Sequence, residues 1–112
     1  MIKIEIQRQN NRITYFEIKG HADFSGFGED VICAAVSSVG QMTVNGLIET
    51  LKLKKKLKFI EEDGYIECDL KNSGLTDDEL ENADILVESM YSYLKDVAKS
   101  YKNFVKLREI KK

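Results

Sequence analysis

The sequence has no proline, a single histidine and only two cysteines in 112 residues. With no proline, no repeat and no low-complexity segment, nothing in it marks a linker between domains. A structural zinc site needs four ligands at recognisable spacing. Cys33 and Cys68 stand in no C-x-x-C pattern and share one histidine, so neither a metal nor any other cofactor is expected. A disulfide between them is open on sequence grounds, although a cytosolic chain would keep both thiols reduced. The longest continuous apolar run, residues 31–36, is far short of the roughly 20 residues of a membrane span. At the start of the chain, Ile2 and Ile4 alternate with Lys3 and Glu5, unlike the continuous apolar core of a secretory signal. The expected location is therefore the cytoplasm. A net charge of −2 argues against a protein whose whole surface grips nucleic acid.

What is present is the balance of an ordinary globular protein, 43% hydrophobic and 32% charged. Residues 1–112 are enough for one core and too few for a second, so one domain is expected. Ile2, Ile4 and Ile6 alternate with polar residues and predict a half-buried strand. Asn10 and Asn11 supply a turn into a second strand, Arg12–Lys19, paired antiparallel with the first. Glycines at 20, 26 and 28 then break regular structure. Residues 30–50 read as a helix whose apolar or small first half should be buried nearly all round, while Gly40 and Gly46 weaken its far end.

Leu51, Leu53, Leu57 and Phe59 alternate with lysines, which predicts a strand with one basic face. A turn at residues 61–64 leads to a returning strand with Ile66, Cys68 and Leu70 on one side and Tyr65, Glu67 and Asp69 on the other. Paired as a hairpin, the lysine face would meet the acidic one. Thr76 and Glu79 form a capping box, followed by Leu80, Ala83, Val87, Met90, Leu94, Val97 and Tyr101 at helical spacing. Residues 104–110 close the chain as a strand. The order β-β-α-β-β-α-β predicts an α/β protein of the two-layer α+β kind: two main helices on a mixed, mostly antiparallel sheet of about five strands.

Chemistry concentrates in residues 20–37. Cys33 is expected in the first turn of its helix, where free N–H groups and the positive dipole end favour a thiolate. That effect alone is too small. A helix end contributes about 0.3–1 kcal/mol, under one pKa unit, so a thiol starting near ~8.5 would stay mostly protonated at neutral pH. A second positive partner is needed, and His21 is the one histidine available. As an imidazolium it would stabilise the thiolate and later act as general acid. The N–H groups at the helix start could also form an oxyanion hole. The plain alternative is an inert core cysteine and a histidine in a turn.

The segment Gly20-His21-Ala22, the glycine-rich loop after it, and Asp30-Val31-Ile32-Cys33-Ala34-Ala35-Val36-Ser37 resemble the signature of the ribosomal-processing cysteine protease family. The resemblance spans essentially the whole chain. It implies a bacterial cytoplasmic hydrolase, a thiol protease of α/β fold that forms a homodimer and serves ribosome biogenesis. Its substrate would be a precursor ribosomal protein of the large subunit, from which it removes a short N-terminal extension. Cys33 would be the nucleophile and His21 its proton partner, with no membrane or direct nucleic-acid partner.

Several neighbours keep two readings each. Asp30 either orients His21 or contacts substrate, or it caps the helix. Ser37, one turn beyond Cys33, either holds the substrate backbone or the catalytic pair, or lets a neighbouring element pack closely. Phe24 and Phe27 either form a lid over an apolar peptide or anchor their loop to the core. Cys68 reads as a buried structural thiol. Two other functions remain in view: a non-enzymatic ribosome-assembly or RNA-binding factor using the lysines of 52–58, and a thiol redox sensor, which would need a resolving cysteine.

Overall fold

The computed structural model of the chain describes residues 1–20 and 29–112, apart from the side chains of Glu29 and Asp30. His21, Phe24 and Phe27 lie outside the described residues. The first strand, β1 (Ile2–Gln9), turns through Asn10 and Asn11 into β2 (Arg12–Lys19). Both asparagines have positive φ, 54° and 65°, the geometry of a two-residue turn that matches strand twist. After α1 (Glu29–Asn45) and a π-helical turn (Gly46–Thr50) come β3 (Lys58–Glu62), β4 (Tyr65–Asp69), α2 (Asp77–Ser100) and β5 (Val105–Lys111). The five strands lie in the order β3-β4-β2-β1-β5. Every pairing is antiparallel except β1 with β5, and α2 carries the chain from β4 across to β5. The expected mixed two-layer fold is the one observed.

The isoleucines of β1, with Ile13, Phe16 and Ile18 of β2 and Ile66, Cys68 and Leu70 at β4, form one buried sheet face. Ala83, Val87, Met90, Leu94 and Val97 of α2 complete the core. The capping box at its start is present: Thr76 Oγ1 accepts from the Glu79 N–H at 3.2 Å, and the Glu79 carboxylate accepts from the Thr76 N–H at 2.9 Å. Tyr101 caps the C-terminus and is exposed rather than buried.

Two sequence expectations fail. Helix α1 is not buried all round: Ile32 and Val36 face the core, while Val31 is 71% exposed. By length and composition alone Val31–Thr50 is apolar enough to cross a membrane, which the short run 31–36 did not suggest. Gly40 and Gly46 serve contact rather than flexibility. A Cβ at Gly40 would stand 2.9 Å from the side chains of Ile18 and Ile66, so glycine lets α1 lie directly on the sheet.

The second failure is the lysine strand. Residues 51–57 form a turn, not a strand. Leu53 and Leu57 are both buried, and the Leu57 N–H donates to the Leu53 carbonyl at 2.8 Å. Their four-residue separation is helical spacing, which four residues of alternation imitate. Lys56 pairs with Glu79 at 2.7 Å, and only Lys58 meets an acid across the hairpin, Asp69. Residues 52–57 form no strand, so the RNA-binding reading loses the flat basic strand face on which it was placed.

Behind the sheet edge, Arg8 binds Glu88 through both guanidinium Nη atoms and lies 3.4 Å from Glu109. Tyr91 stacks under it at 5.0 Å and donates to Glu109 at 2.9 Å. The Glu88 hydrogen bonds hold the Arg8 pKa above its ordinary value. Arg8→Met should destabilise the fold by about 1–3 kcal/mol, less than a fully buried pair because Glu88 is one-third exposed. Urea denaturation checks this. An unchanged midpoint would show the network to be ornamental, and Arg8→Met/Glu88→Leu should recover part of the loss.

Candidate active site

Cys33 is the fifth residue of α1, half-buried, reduced and packed against the core. The unpaired N–H groups of a helix start belong to its first residues. They therefore lie before Cys33, not on it, a correction to its expected place in the first turn. Buried Ile32 and Val36 hold this stretch on the sheet and leave Cys33 and Ser37, four residues apart, along a neighbouring stripe of the helix.

Ser37 is half-buried and lines a cleft of about 130 Å³ at the end of the sheet. Its apolar floor is Ile2, Ile18, Val36 and Ile66, and its rim carries Gln41, Glu62, Asp63 and Tyr65. Gly20, where β2 ends, forms part of the same wall. Gly20 has φ of +117°, its N–H donates to the Gly64 carbonyl at 3.0 Å, and an added Cβ would collide with the Met1 carbonyl oxygen. Glycine is required there on two grounds. The residue after it is His21, so the backbone leaves for His21 from the wall that Ser37, one helical turn from Cys33, also lines.

Of the sequence candidates, the structure thus brings Gly20 and Ser37 to one cleft and places Cys33 beside it. His21, Phe24 and Phe27 fall outside the described residues, as does the side chain of Asp30. The rim contributed by the β3–β4 hairpin, Glu62 to Tyr65, was not anticipated. Its residues read as an ordinary turn, and only strand order puts them opposite α1. Among the described residues no group of histidine, cysteine or acidic side chains could hold a metal.

The hydroxyl of Tyr65 is 2.7 Å from Glu17 Oε2 and 2.8 Å from Glu67 Oε2, and Tyr15 reaches the same Glu67 oxygen at 2.9 Å. Burial first, then these carboxylates, raises both phenol pKa values, so each tyrosine is a neutral donor and not a base.

Cys68 is fully buried, and burial, with help from Asp69, Glu67 and Glu61, pushes its thiol up to about 12. A thiol with that pKa stays protonated and unreactive near neutrality. Cys68→Ala should retain full turnover per folded molecule while losing about 1–2 kcal/mol of stability. Turnover lost in a fully folded Cys68→Ala protein would mean the active thiol is misassigned. Native protein treated with iodoacetamide at pH 8 should gain one adduct by mass, not two.

The comparisons with known proteins agree on one family. The sequence model of the cysteine protease Prp matches residues 1–106. The ribosomal processing cysteine protease Prp of Bacillus subtilis (strain 168) is 32% identical over 104 residues, 92% of each chain. A crystal structure of a Streptococcus mutans protein superposes with a TM-score of 0.78 at 28% identity, covering 100% of this chain and 96% of that one. The Prp of S. aureus, solved with a covalently linked product peptide, shares the fold at a TM-score of 0.74 and 24% identity, covering 97% of this chain and 99% of its own. A half-buried, reduced thiol on a chain of this relationship fits a hydrolase of the thiol type: the protein belongs to the Prp family of cysteine proteases.

Proposed function

We propose that Cys33 is the nucleophile, that His21 is its proton partner, and that the substrate is the N-terminal extension of a large-subunit ribosomal protein. The observation that carries the pair is the shared cleft: Gly20, the residue before His21, and Ser37, one turn from Cys33, wall the same space. The substrate rests on the B. subtilis relative, which is named a ribosomal processing protease.

In the first half-reaction the Cys33 thiolate attacks the scissile carbonyl carbon, and the His21 imidazolium gives its proton to the leaving amine as the C–N bond breaks. The resulting thioester is hydrolysed by water whose proton His21, now neutral, accepts. Ser37 faces the cleft and holds the substrate backbone. Asp30 orients His21. The floor of Ile2, Ile18, Val36 and Ile66 selects an apolar side chain near the cut.

The test is the rate of Cys33 alkylation by iodoacetamide across pH. An imidazolium partner requires reactivity that persists below pH 7 and is lost in His21→Ala. Ordinary thiol behaviour in both proteins would overturn the pair. Intact-mass analysis of the precursor ribosomal protein after incubation tests the substrate separately, because a reactive Cys33 that leaves the precursor uncut removes the substrate and keeps the chemistry.

The working form is a cytoplasmic homodimer. Its support is an exposed apolar stripe: Val31 and Met42 on α1 and Ile85 on α2 are 71%, 60% and 67% exposed. Sedimentation of the wild type as a dimer, and of Met42→Glu/Ile85→Glu as a monomer, is the expected result. A monomeric wild type at tens of micromolar would refute it.

A further inference from the structure

The sheet face turned away from the helices carries three lysines directly abreast. In the observed register Lys3 of β1 pairs with Lys19 of β2 on one side and with Lys106 of β5 on the other. All three are exposed. Neighbouring strands are about 4.8 Å apart, so three ammonium groups share a row roughly 10 Å wide. Like charges directly opposite on a sheet destabilise it, and the relief here is slight. Lys3 and Lys106 make no ion pair among the described residues, and the nearest acid to Lys19 is Glu17 at 3.9 Å.

The adjacent row is the reverse. Arg108, Glu5, Glu17 and Glu67 stand abreast in the same strands, yet each has a partner. Arg108 donates to Glu5 at 3.0 Å, as Gln7 does at 2.8 Å. Glu17 and Glu67 are engaged by the hydroxyls of Tyr15 and Tyr65. The protein satisfies its acids on this face and, among the described residues, leaves Lys3 and Lys106 without an ion pair and Lys19 with a long one. The two rows border a shallow depression of about 450 Å³ whose charged lining is Lys3, Glu5, Glu17, Lys19, Lys106 and Arg108, with Ile4 and Leu107 also on its wall.

We propose that the Lys3–Lys19–Lys106 row binds the sugar-phosphate backbone of a nucleic acid, apart from the peptidase cleft and independent of the substrate assigned above. Lysine ammoniums are point charges that suit phosphates of any orientation. Carboxylates are recognised more selectively by the arginine fork, and the one arginine in the depression is already bound to Glu5. No aromatic ring lines the depression, so it offers nothing on which a base could stack. Recognition by charge alone is indifferent to sequence. This departs from the expectation, drawn from the net charge, of no nucleic-acid partner, because a three-residue row is invisible in a whole-chain sum.

The experiment is fluorescence anisotropy of a labelled 15-nucleotide oligouridylate with the full chain. Three phosphate contacts on a single strand give a log–log salt slope near −2, so affinity should fall about 15–20-fold between 50 and 200 mM salt. Lys3→Gln/Lys19→Gln/Lys106→Gln should lower affinity at least about tenfold and flatten the slope, with peptide turnover unchanged and no loss of thermal stability. Lys54→Gln/Lys55→Gln, exposed lysines elsewhere, should bind like the wild type. Absence of wild-type binding at 50 mM salt, equal loss in both variants, or displacement of the RNA by an equal concentration of polyglutamate would each overturn the proposal, the last by making the row a site for acidic peptides.

Discussion

Cys33→Ala should reduce processing of the precursor ribosomal protein by roughly 10³-fold or more, because removing a covalent nucleophile removes the pathway and not one contribution to it. Cys33→Ser should fall almost as far. A hydroxyl has nearly the volume of the thiol, but its proton is held far more tightly, and an imidazolium tuned to a thiolate cannot remove it. Both variants should fold. Cys33 is half-buried at the margin of the core, whereas Ile32 and Val36 on either side do the packing. The measurement is intact mass of the precursor against time, with thermal unfolding run in parallel. Wild-type processing by either variant would remove Cys33 from the mechanism, and a collapse of the melting transition would make it a core residue after all.

The second large effect is expected from the smallest substitution. Gly20→Ala adds one methyl group, at φ of +117°, where side chains are rarely tolerated. The new Cβ meets the Met1 carbonyl oxygen and comes within 3.2 Å of the Ile2 Cα, both backbone atoms that cannot turn aside. Something must shift, and β1 is held on both sides by β2 and β5. The displacement is therefore expected at Gly20 itself, the residue next to His21. We expect a stability loss of about 1–3 kcal/mol and, in the fraction that remains folded, a loss of turnover of at least about tenfold. Kinetics at a temperature well below the melting transition separate the two. Turnover per folded molecule equal to the wild type would show that the geometry at Gly20 has no bearing on catalysis.

Local pattern was legible wherever one face of an element alone met the core. The alternation of Ile2, Ile4 and Ile6 and the four-three spacing from Ala83 to Val97 both map directly onto burial, since one core supplies the whole signal. The stretch from Leu51 to Leu57 failed because buried residues four apart fit a turn and a strand equally well over so short a span. The reading of Gly40 was incomplete for a related reason. Intrinsic propensity counts the entropy of a glycine, while the space it leaves for Ile18 and Ile66 exists only after α1 has docked.

For the site, residue types and spacing made Cys33 and His21 candidates, because nucleophile chemistry needs a thiol with a cationic partner and the chain holds one histidine, and the family resemblance turned the candidates into an assignment. The family likeness and the order of elements were legible in the same way, from residues close together along the chain. What surrounds the thiol was decided by the fold. The hairpin rim from Glu62 to Tyr65 reaches the cleft through the pairing of β2 with β4, about fifty residues apart in sequence. Likewise, Lys3, Lys19 and Lys106 come from the two ends of the sequence and become neighbours only when β5 crosses over to lie parallel to β1. Contacts within one turn or one strand follow from local sterics and periodicity, so the sequence determined them. Contacts between distant segments depend on which of many hydrophobic faces are buried together, and only the tertiary structure decides that.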